Sequence, residues 1–277
     1  MNNMVFTKNL VLIALALLAQ TAPDTEALHR PLDQILDVNV RDGLVYYRAL
    51  KSEHGRLDRY ATSLNVPAAT YASWTREQQM AFWVNAYNAF VLETIISNYP
   101  IKGRSEAYPA SSIRQIPGAF DRTKHRAAGR SVTLDEIEKT ILPEFKEPRL
   151  YLALGRGAVG SGRLHSEAYT GDRLTSQLDT TQADFMTRQS MMKIDRDAGV
   201  ISLTPIISWH EAEFVAAYDK GASGPFAQRS PIERAVIAFI TPRLLPLEKE
   251  FVQKNEFRVV FHAFDWRLND LSGGRPD

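Results

Sequence analysis

The densest group of residues that could do chemistry lies in a glycine-rich stretch near the middle of the chain. Gly155-Arg156-Gly157-Ala158-Val159-Gly160 is followed by Ser161, Gly162 and Arg163. Glycines let backbone N–H groups point together, and such nests favour anions. The planar guanidinium of arginine bonds carboxylate or phosphate through two hydrogen bonds. We therefore expect Arg156 and Arg163 to converge on a small anionic or polyhydroxylated ligand, in a polar cleft under this glycine loop (residues 155–163).

Other polar residues around the loop extend this predicted cleft. Asn85 and Asn88 stand three apart on one face of a predicted buried helix, where an unpaired amide costs about 1–3 kcal/mol. A structural hydrogen-bond network is the first interpretation of this pair, and orientation of a ligand is the second. Glu138 lies beside an apolar stripe and could pair with an arginine of the loop. The predicted ligand-binding residues are Asn85, Asn88, Glu138, Arg149, Arg156 and Arg163. The alternative is that the arginines pair with surface acids or lie in solvent.

The same stretch matches the G-x-G-x-x-G fingerprint of dinucleotide-binding folds. That fingerprint needs a helix that begins inside the motif, and an acid at the end of a second strand about 20 residues on. Here Ser161-Gly162-Arg163 continues the loop, and Asp179 falls in a predicted helix. We therefore expect no NAD or FAD site and assign no cofactor.

A hydrolase is the first alternative function, with Ser161 as nucleophile and His165 or His210 as its base. The G-x-S-x-G pattern of a nucleophile elbow is missing around Ser161. The six histidines show no metal-ligand spacing, so we assign no metal. A domain that interacts with other envelope components, without a small ligand, is the second alternative.

The helices that must position these groups are marked by their capping residues. Three capping boxes are present: Thr75 with Gln78, Thr133 with Glu136, and Ser230 with Glu233. The first box opens a helix from Arg76 to about Asn98 that is apolar nearly all round, which is typical of a helix in the middle of a domain. The second opens a helix that we expect Pro143 to stop, and a further helix follows Asp172.

Fewer segments are typical of strands. The apolar run from Leu150 to Leu154 predicts one strand, and residues 193–194 and 200–203 predict a hairpin. Residues 257–264 are the third segment in which we expect a strand. Helices outnumber strands and do not alternate with them regularly. These patterns favour the α+β class, as a mostly helical single domain with a small antiparallel sheet and a buried central helix.

The first 27 residues have the composition of a secretory signal. Lys8 precedes ten apolar residues from Leu10 to Ala19, and small residues follow. Ten apolar residues are too few to span a bilayer, which takes about 20. Thr25-Glu26-Ala27 offers a small-x-small cleavage site. We therefore expect residues 28–277 to form one exported domain, periplasmic or extracellular, with no membrane span after the signal is removed.

Composition narrows the chemistry further. The chain has 277 residues and a formal net charge of only +1, so we expect no nucleic-acid partner. It contains no cysteine, which excludes disulfides, thiolate nucleophiles and thiol metal ligands. The oligomeric state is left open.

Five segments together resemble the family known as domain of unknown function 547. In chain order they are VRDGLVYY (40–47), AFWVNAYNA (81–89), LDEIE (134–138), RLYLAL (149–154) and DWRLN (265–269). Many members carry histidines where Tyr151 and Lys139 stand here, and cysteines at the positions of Arg156 and Ser161. The resemblance implies no established activity, and a thiolate–histidine hydrolysis is not open to this chain.

Overall fold

The computed structural model of the protein describes residues 25–272. Within that range the α-helices are α1 (Thr25–Asn39), α2 (Tyr47–Ser52), α3 (Gly55–Ser63), α4 (Ala68–Ala72), α5 (Arg76–Asn98), α6 (Leu134–Glu136), α7 (Arg149–Leu152), α8 (Leu174–Thr187), α9 (Ile206–Trp209), α10 (Glu211–Tyr218), α11 (Pro231–Ile240) and α12 (Pro246–Lys254). The predicted signal falls almost entirely on residues outside the described range, so it stays a prediction.

The strands are short and form three small sheets in the described part of the chain. They are β1 (Val40–Arg41), β2 (Leu44–Val45), β3 (His125–Ala127), β4 (Arg130–Val132), β5 (Met192–Asp195), β6 (Val200–Leu203) and β7 (Arg258–Phe261). Antiparallel β1–β2 and β3–β4 are separate pairs, and β5-β6-β7 form the third sheet. The predicted β5–β6 hairpin is confirmed, with Ile194 opposite Ile201. The third sheet is mixed, because the helices between β6 and β7 return the chain in the parallel direction.

Helix α5 lies at the centre of the molecule, as predicted. It begins after the Thr75–Gln78 capping box and ends at Asn98, and 16 of its 23 residues are buried. It packs against α1, α2, α3 and α8. Trp83 is fully buried and donates its indole N–H to the Tyr71 hydroxyl at 2.8 Å. This mostly helical arrangement around one buried helix confirms the α+β class.

The helix predicted after Thr133 changes its winding twice. The Thr133–Glu136 capping box is present, but only α6 is α-helical. Residues Ile137–Ile141 form a π-helical turn, and Leu142–Phe145 form a 3₁₀ turn. Pro143 lies inside that last turn rather than stopping the helix before it. Proline has no N–H to continue an α-helical ladder, so the chain tightens there and ends at Phe145.

The strand predicted at residues 150–154 is wrong. Its first residues belong to the short helix α7, and Leu150, Tyr151 and Leu152 are all buried. A short apolar run has no periodicity that distinguishes a buried strand from a buried helical turn. Contact with α8 on one side therefore decides the conformation of this segment.

The C-terminal segment ties the glycine loop to the start of the domain. The backbone N–H groups of Val159 and Gly160 donate to the backbone carbonyl oxygens of Arg267 and Asp265, respectively, at 2.9 Å each. Asn269 accepts a hydrogen bond from the Tyr47 hydroxyl at 2.7 Å and donates to the Gly43 carbonyl at 2.9 Å. Residues 43–47 and 265–269 therefore meet beside the loop. No helix in residues 25–272 is both long and apolar enough to cross a membrane.

Candidate functional site

A buried cluster of charged and polar groups lies beside the glycine loop. Glu138 Oε1 accepts hydrogen bonds from Arg156 Nη2 at 2.6 Å and from His210 Nε2 at 2.9 Å. Glu138 Oε2 accepts one from the Tyr87 hydroxyl at 2.9 Å. Glu138 is 6% exposed and Arg156 is 1% exposed. We call Tyr87, Glu138, Arg156 and His210 the buried charge cluster. The predicted pairing of Glu138 with a loop arginine is therefore present.

Four separate elements bring the cluster together. Tyr87 lies on α5, Glu138 on the π-helical turn, Arg156 in the glycine loop, and His210 between α9 and α10. A π turn is wider than an α turn and recurs at functional sites, where it redirects side chains. Here the π turn carries the Glu138 carboxylate, which accepts a hydrogen bond from each of the other three members of the cluster.

The cluster keeps its charges despite its burial. Desolvation raises the pKa of Glu138, but Arg156 and the hydrogen bonds from His210 and Arg156 outweigh it, so the pKa lies well below its usual range. Desolvation lowers the pKa of Arg156, and Glu138 more than compensates. Burial and Glu138 raise the pKa of Tyr87, which therefore stays a neutral donor. The cluster is a carboxylate–guanidinium pair fixed by two further donors.

Tyr151 holds the histidine of the cluster from behind. Its ring stacks on His210 with ring centroids 3.6 Å apart and an angle of 6° between the planes. Its hydroxyl is buried and has no hydrogen-bond partner in the described structure. The imidazole is thus fixed between an aromatic face and a carboxylate, which defines both its position and its plane.

A cavity of about 470 Å³ opens above the buried charge cluster, and its walls are aromatic. Trp209 and Trp266 lie nearly parallel, with ring centroids 6.2 Å apart, and Phe120 is 6.0 Å from Trp266. Trp209 is 46% exposed, which is unusual for so large an apolar side chain. We call this cavity the aromatic cleft. Its remaining lining residues are Arg114, Asp135, Glu138, Lys139, Arg156, His210 and Glu213.

The glycine loop is a packing element and not an anion nest. Its N–H groups bond within the protein: that of Gly155 to Asn88 Oδ1 at 2.7 Å, and that of Arg156 to Ser161 Oγ at 2.9 Å. A Cβ atom at Gly162 would lie 1.7 Å from the Leu152 carbonyl oxygen. The glycine there is required because the backbone of the loop passes directly against α7.

The expected convergence of the loop arginines is wrong. Arg156 lines the aromatic cleft, whereas Arg163 lines another cavity and pairs with Asp42 at 3.4 Å and Asp184 at 3.3 Å. Arg149 pairs with Glu147 and with Asp179, away from both cavities, and lines a third. The acids nearest to each arginine in the fold decide its direction, and the sequence does not show them.

Asn85 and Asn88 form the structural network that was the first interpretation. Asn85 exchanges two hydrogen bonds with the backbone of Tyr169, at 2.8 and 2.9 Å. Asn88 donates to the Ala153 carbonyl at 3.2 Å and accepts from Gly155. Both amides are almost fully buried. They tie the residues before and after the glycine loop to α5, and thereby hold Arg156 in place.

Ser161 and His165 occupy different environments. The Ser161 hydroxyl is buried and accepts the Arg156 backbone N–H. His165 Nε2 bonds to Asp184 Oδ2 at 2.9 Å, and desolvation lowers its pKa despite that acid. No hydrogen bond joins Ser161 to His165 or to His210 in residues 25–272. The geometry thus gives Ser161 a structural partner and no base.

Sequence reasoning missed the residues that form the walls of the aromatic cleft. Trp209 lies beyond the hairpin predicted at residues 193–203 and belongs to no predicted element, and Arg114 and Phe120 lie in a stretch without periodicity. Trp266 was detectable, because it belongs to the DWRLN segment that carries the family resemblance. No group of three or more histidine, aspartate or glutamate side chains that could hold a metal ion lies in the part of the chain that the structure describes.

The fold and this cleft define the class as a mostly helical α+β domain with a charged, aromatic-walled cavity. A family model described as "Protein of unknown function, DUF547" matches residues 71–186. The match confirms that the chain resembles this family. It covers α5, Glu138 and the glycine loop, whereas Trp209, His210 and Trp266 lie beyond it. No curated protein and no solved structure matches the chain.

Proposed function

We propose that the protein binds a small polyhydroxylated ligand in the aromatic cleft. One observation carries this proposal: an exposed tryptophan stands over a buried, hydrogen-bonded carboxylate–guanidinium pair in a cavity of about 470 Å³. Binding sites for small molecules are typically concave and mostly apolar, with a few fixed polar groups that set orientation. The aromatic cleft has both features.

The chemistry of the lining favours a saccharide-like ring. Such a ring has apolar C–H faces and a polar rim of hydroxyl groups. The faces can pack on Trp209, and burial of its exposed apolar surface then favours binding. The hydroxyl groups can donate to Glu138 and accept from Arg156, since both side chains line the cavity and keep their charges. A purely apolar ligand would cover the charged groups that line the cavity and offer them no hydrogen bond.

Export is the second part of the proposal. Lys8, the apolar run from Leu10 to Ala19 and the small residues after it support secretion of the mature chain. A binding domain outside the cytoplasm would meet saccharides of the medium or the cell envelope.

The proposal is tested by isothermal titration calorimetry with a panel of monosaccharides and sugar acids. Trp209→Ala removes the exposed wall of the cleft, and Tyr46→Ala is the matched control, because Tyr46 is an aromatic residue of nearly the same exposure, 44%, that does not line the cleft. We expect wild type and Tyr46→Ala to bind a member of the panel equally. Trp209→Ala should lose at least tenfold in affinity, about 1.4 kcal/mol. Binding that survives in Trp209→Ala, or no binding by wild type to any member, would overturn the proposal.

A further inference from the structure

We propose that Arg114 is the anion-recognition residue of the aromatic cleft, and that its ligand is a sugar acid, a polyhydroxylated ring that carries a carboxylate. This inference rests on the proposed function and narrows it to one chemical class. It comes from a cation at the rim of the cleft that the protein itself leaves without an anionic partner.

Aromatic rings surround the guanidinium of Arg114. Its Cζ atom lies 4.4 Å from the ring centre of Trp266, 4.7 Å from that of Phe120 and 5.8 Å from that of Tyr108. Cation–π contacts of this kind fix a cation in place. They offer no lone pair in the plane of the guanidinium, so its N–H groups remain free to donate.

The other cations of the aromatic cleft are already neutralised. Arg156 pairs with Glu138 at 2.6 Å, and Lys139 pairs with Asp135 at 2.8 Å. The side chain of Arg114, in contrast, makes no hydrogen bond and no ion pair within residues 25–272. A carboxylate that enters the cleft therefore finds one prepositioned, unneutralised guanidinium fork, the geometry that bonds carboxylate through two parallel hydrogen bonds.

The acids of the cleft favour a monoanion that also carries hydroxyl groups. Glu213 lines the same cavity and has no ion-pair partner among the described residues. Its carboxylate can accept a hydroxyl of the ligand, but it repels further negative charge. A dianionic phosphate would face Glu213 and Asp135 together, whereas a single carboxylate matches the single spare positive charge at Arg114. The exposed face of Trp209 is the surface on which the ring of the ligand packs.

The test compares matched neutral and acidic sugars by calorimetry: glucose with glucuronate, and galactose with galacturonate. Wild type is compared with Arg114→Gln, Arg114→Lys and Arg122→Gln. Arg122 is a suitable control because its side chain is 71% exposed and it does not line the cleft. Melting curves show that each variant is folded, which we expect because Arg114 is exposed and leaves no hydrogen-bond partner behind.

We expect wild type to prefer an acid over its neutral partner by at least tenfold. Arg114→Gln should bind both partners at the neutral-sugar level, Arg114→Lys should keep part of the preference, and Arg122→Gln should match wild type. Equal binding of acid and neutral sugar by wild type, or a preference that survives in Arg114→Gln, overturns the role of Arg114 while ligand binding in the cleft stands. If wild type binds none of the four sugars but binds another member of the panel used for the proposed function, the sugar-acid inference fails alone. If it binds no member of that panel, the inference and the proposed saccharide binding both fail.

Discussion

At the scale of single residues, Arg156 and Glu138 form one buried ion pair at the base of the aromatic cleft. The sequence contained part of this result: Glu138 has no capping role and lies beside an apolar stripe, so it needed a partner. Which arginine would supply it was not predictable, because Arg156 and Arg163 both lie in the glycine loop and Arg149 comes shortly before it in sequence. Their directions depend on acids brought near by folding, such as Asp42 for Arg163.

The buried pair predicts a contrast between two arginines of the glycine loop. Arg156→Met leaves the Glu138 carboxylate buried without its counter-ion, so the free energy of unfolding should fall by about 3–5 kcal/mol. Arg163→Ala should cost no more than about 1 kcal/mol, because that side chain is 39% exposed. Urea denaturation measures both. The double variant Arg156→Met/Glu138→Leu should recover much of the loss. Equal, small losses for both arginines would show that the buried pair is not a stabilising unit.

A second residue gives a prediction about pH. Burial lowers the pKa of His29 from 6.5 to about 3, while one ring nitrogen bonds to the Tyr60 hydroxyl at 2.8 Å. Between pH 6.5 and 3 the unfolded chain therefore binds a proton that the folded chain does not. The free energy of unfolding should fall as the pH drops through that window, by up to about 1.4 kcal/mol per pH unit from this group.

The measurement is the pH dependence of urea unfolding for wild type and His29→Gln. The variant should show a shallower fall between pH 6.5 and 4, because glutamine does not titrate there. His54→Gln is the control for the exchange of a histidine for glutamine, since the side chain of His54 is 62% exposed. Identical slopes for wild type and His29→Gln would contradict the assignment of a neutral, buried histidine.

At the scale of elements, the helices were predictable where local chemistry fixes their ends. The Thr75–Gln78 box and the apolar surface of α5 are local features, and the helix begins where they indicate. Residues 150–154 were not predictable, because a four- or five-residue apolar run fits either conformation and the contact with α8 decides. The π turn that carries Glu138 left no pattern in the sequence that we could read.

The glycine loop yields a prediction about packing. Gly162→Ala places a methyl group where the Leu152 carbonyl oxygen lies 1.7 Å away, so the loop must move from α7. The free energy of unfolding should fall by about 1–3 kcal/mol or more. Gly55→Ala is the control: it lies in α3, and its nearest neighbour, the end of the Arg59 side chain, is 3.5 Å from the added atom. That variant should change stability by less than about 1 kcal/mol. A stable Gly162→Ala protein would contradict the close contact.

At the scale of the whole molecule, the sequence predicted the class and the central helix but not the cleft. The aromatic cleft is assembled from segments that are distant in sequence, since Arg114 contacts Trp266 while Glu138 contacts His210, 72 residues away. Such contacts follow from tertiary packing, whereas periodicity and capping patterns report only local structure. The family resemblance did indicate three lining residues, because the LDEIE segment contains Asp135 and Glu138 and the DWRLN segment contains Trp266.

Export is also a property of the whole chain. The apolar run from Leu10 to Ala19 and the Thr25-Glu26-Ala27 site predict that the mature protein begins at about Leu28. N-terminal sequencing of the protein from the exported fraction checks this. Recovery of the intact Met1 terminus from soluble cytosol would contradict it.

The central claim is that a ligand binds in the aromatic cleft, and the four tryptophans of the chain allow a direct measurement. Trp209 and Trp266 line the cleft, whereas Trp74 and Trp83 are buried in the core, at 6% and 0% exposure. Indole N–H resonances in a ¹H–¹⁵N spectrum, assigned through Trp→Phe variants, follow all four during titration with glucuronate and galacturonate. The account predicts saturable shifts of Trp209 and Trp266 and none of Trp74 or Trp83. Saturable binding that leaves the two cleft indoles unmoved would contradict it.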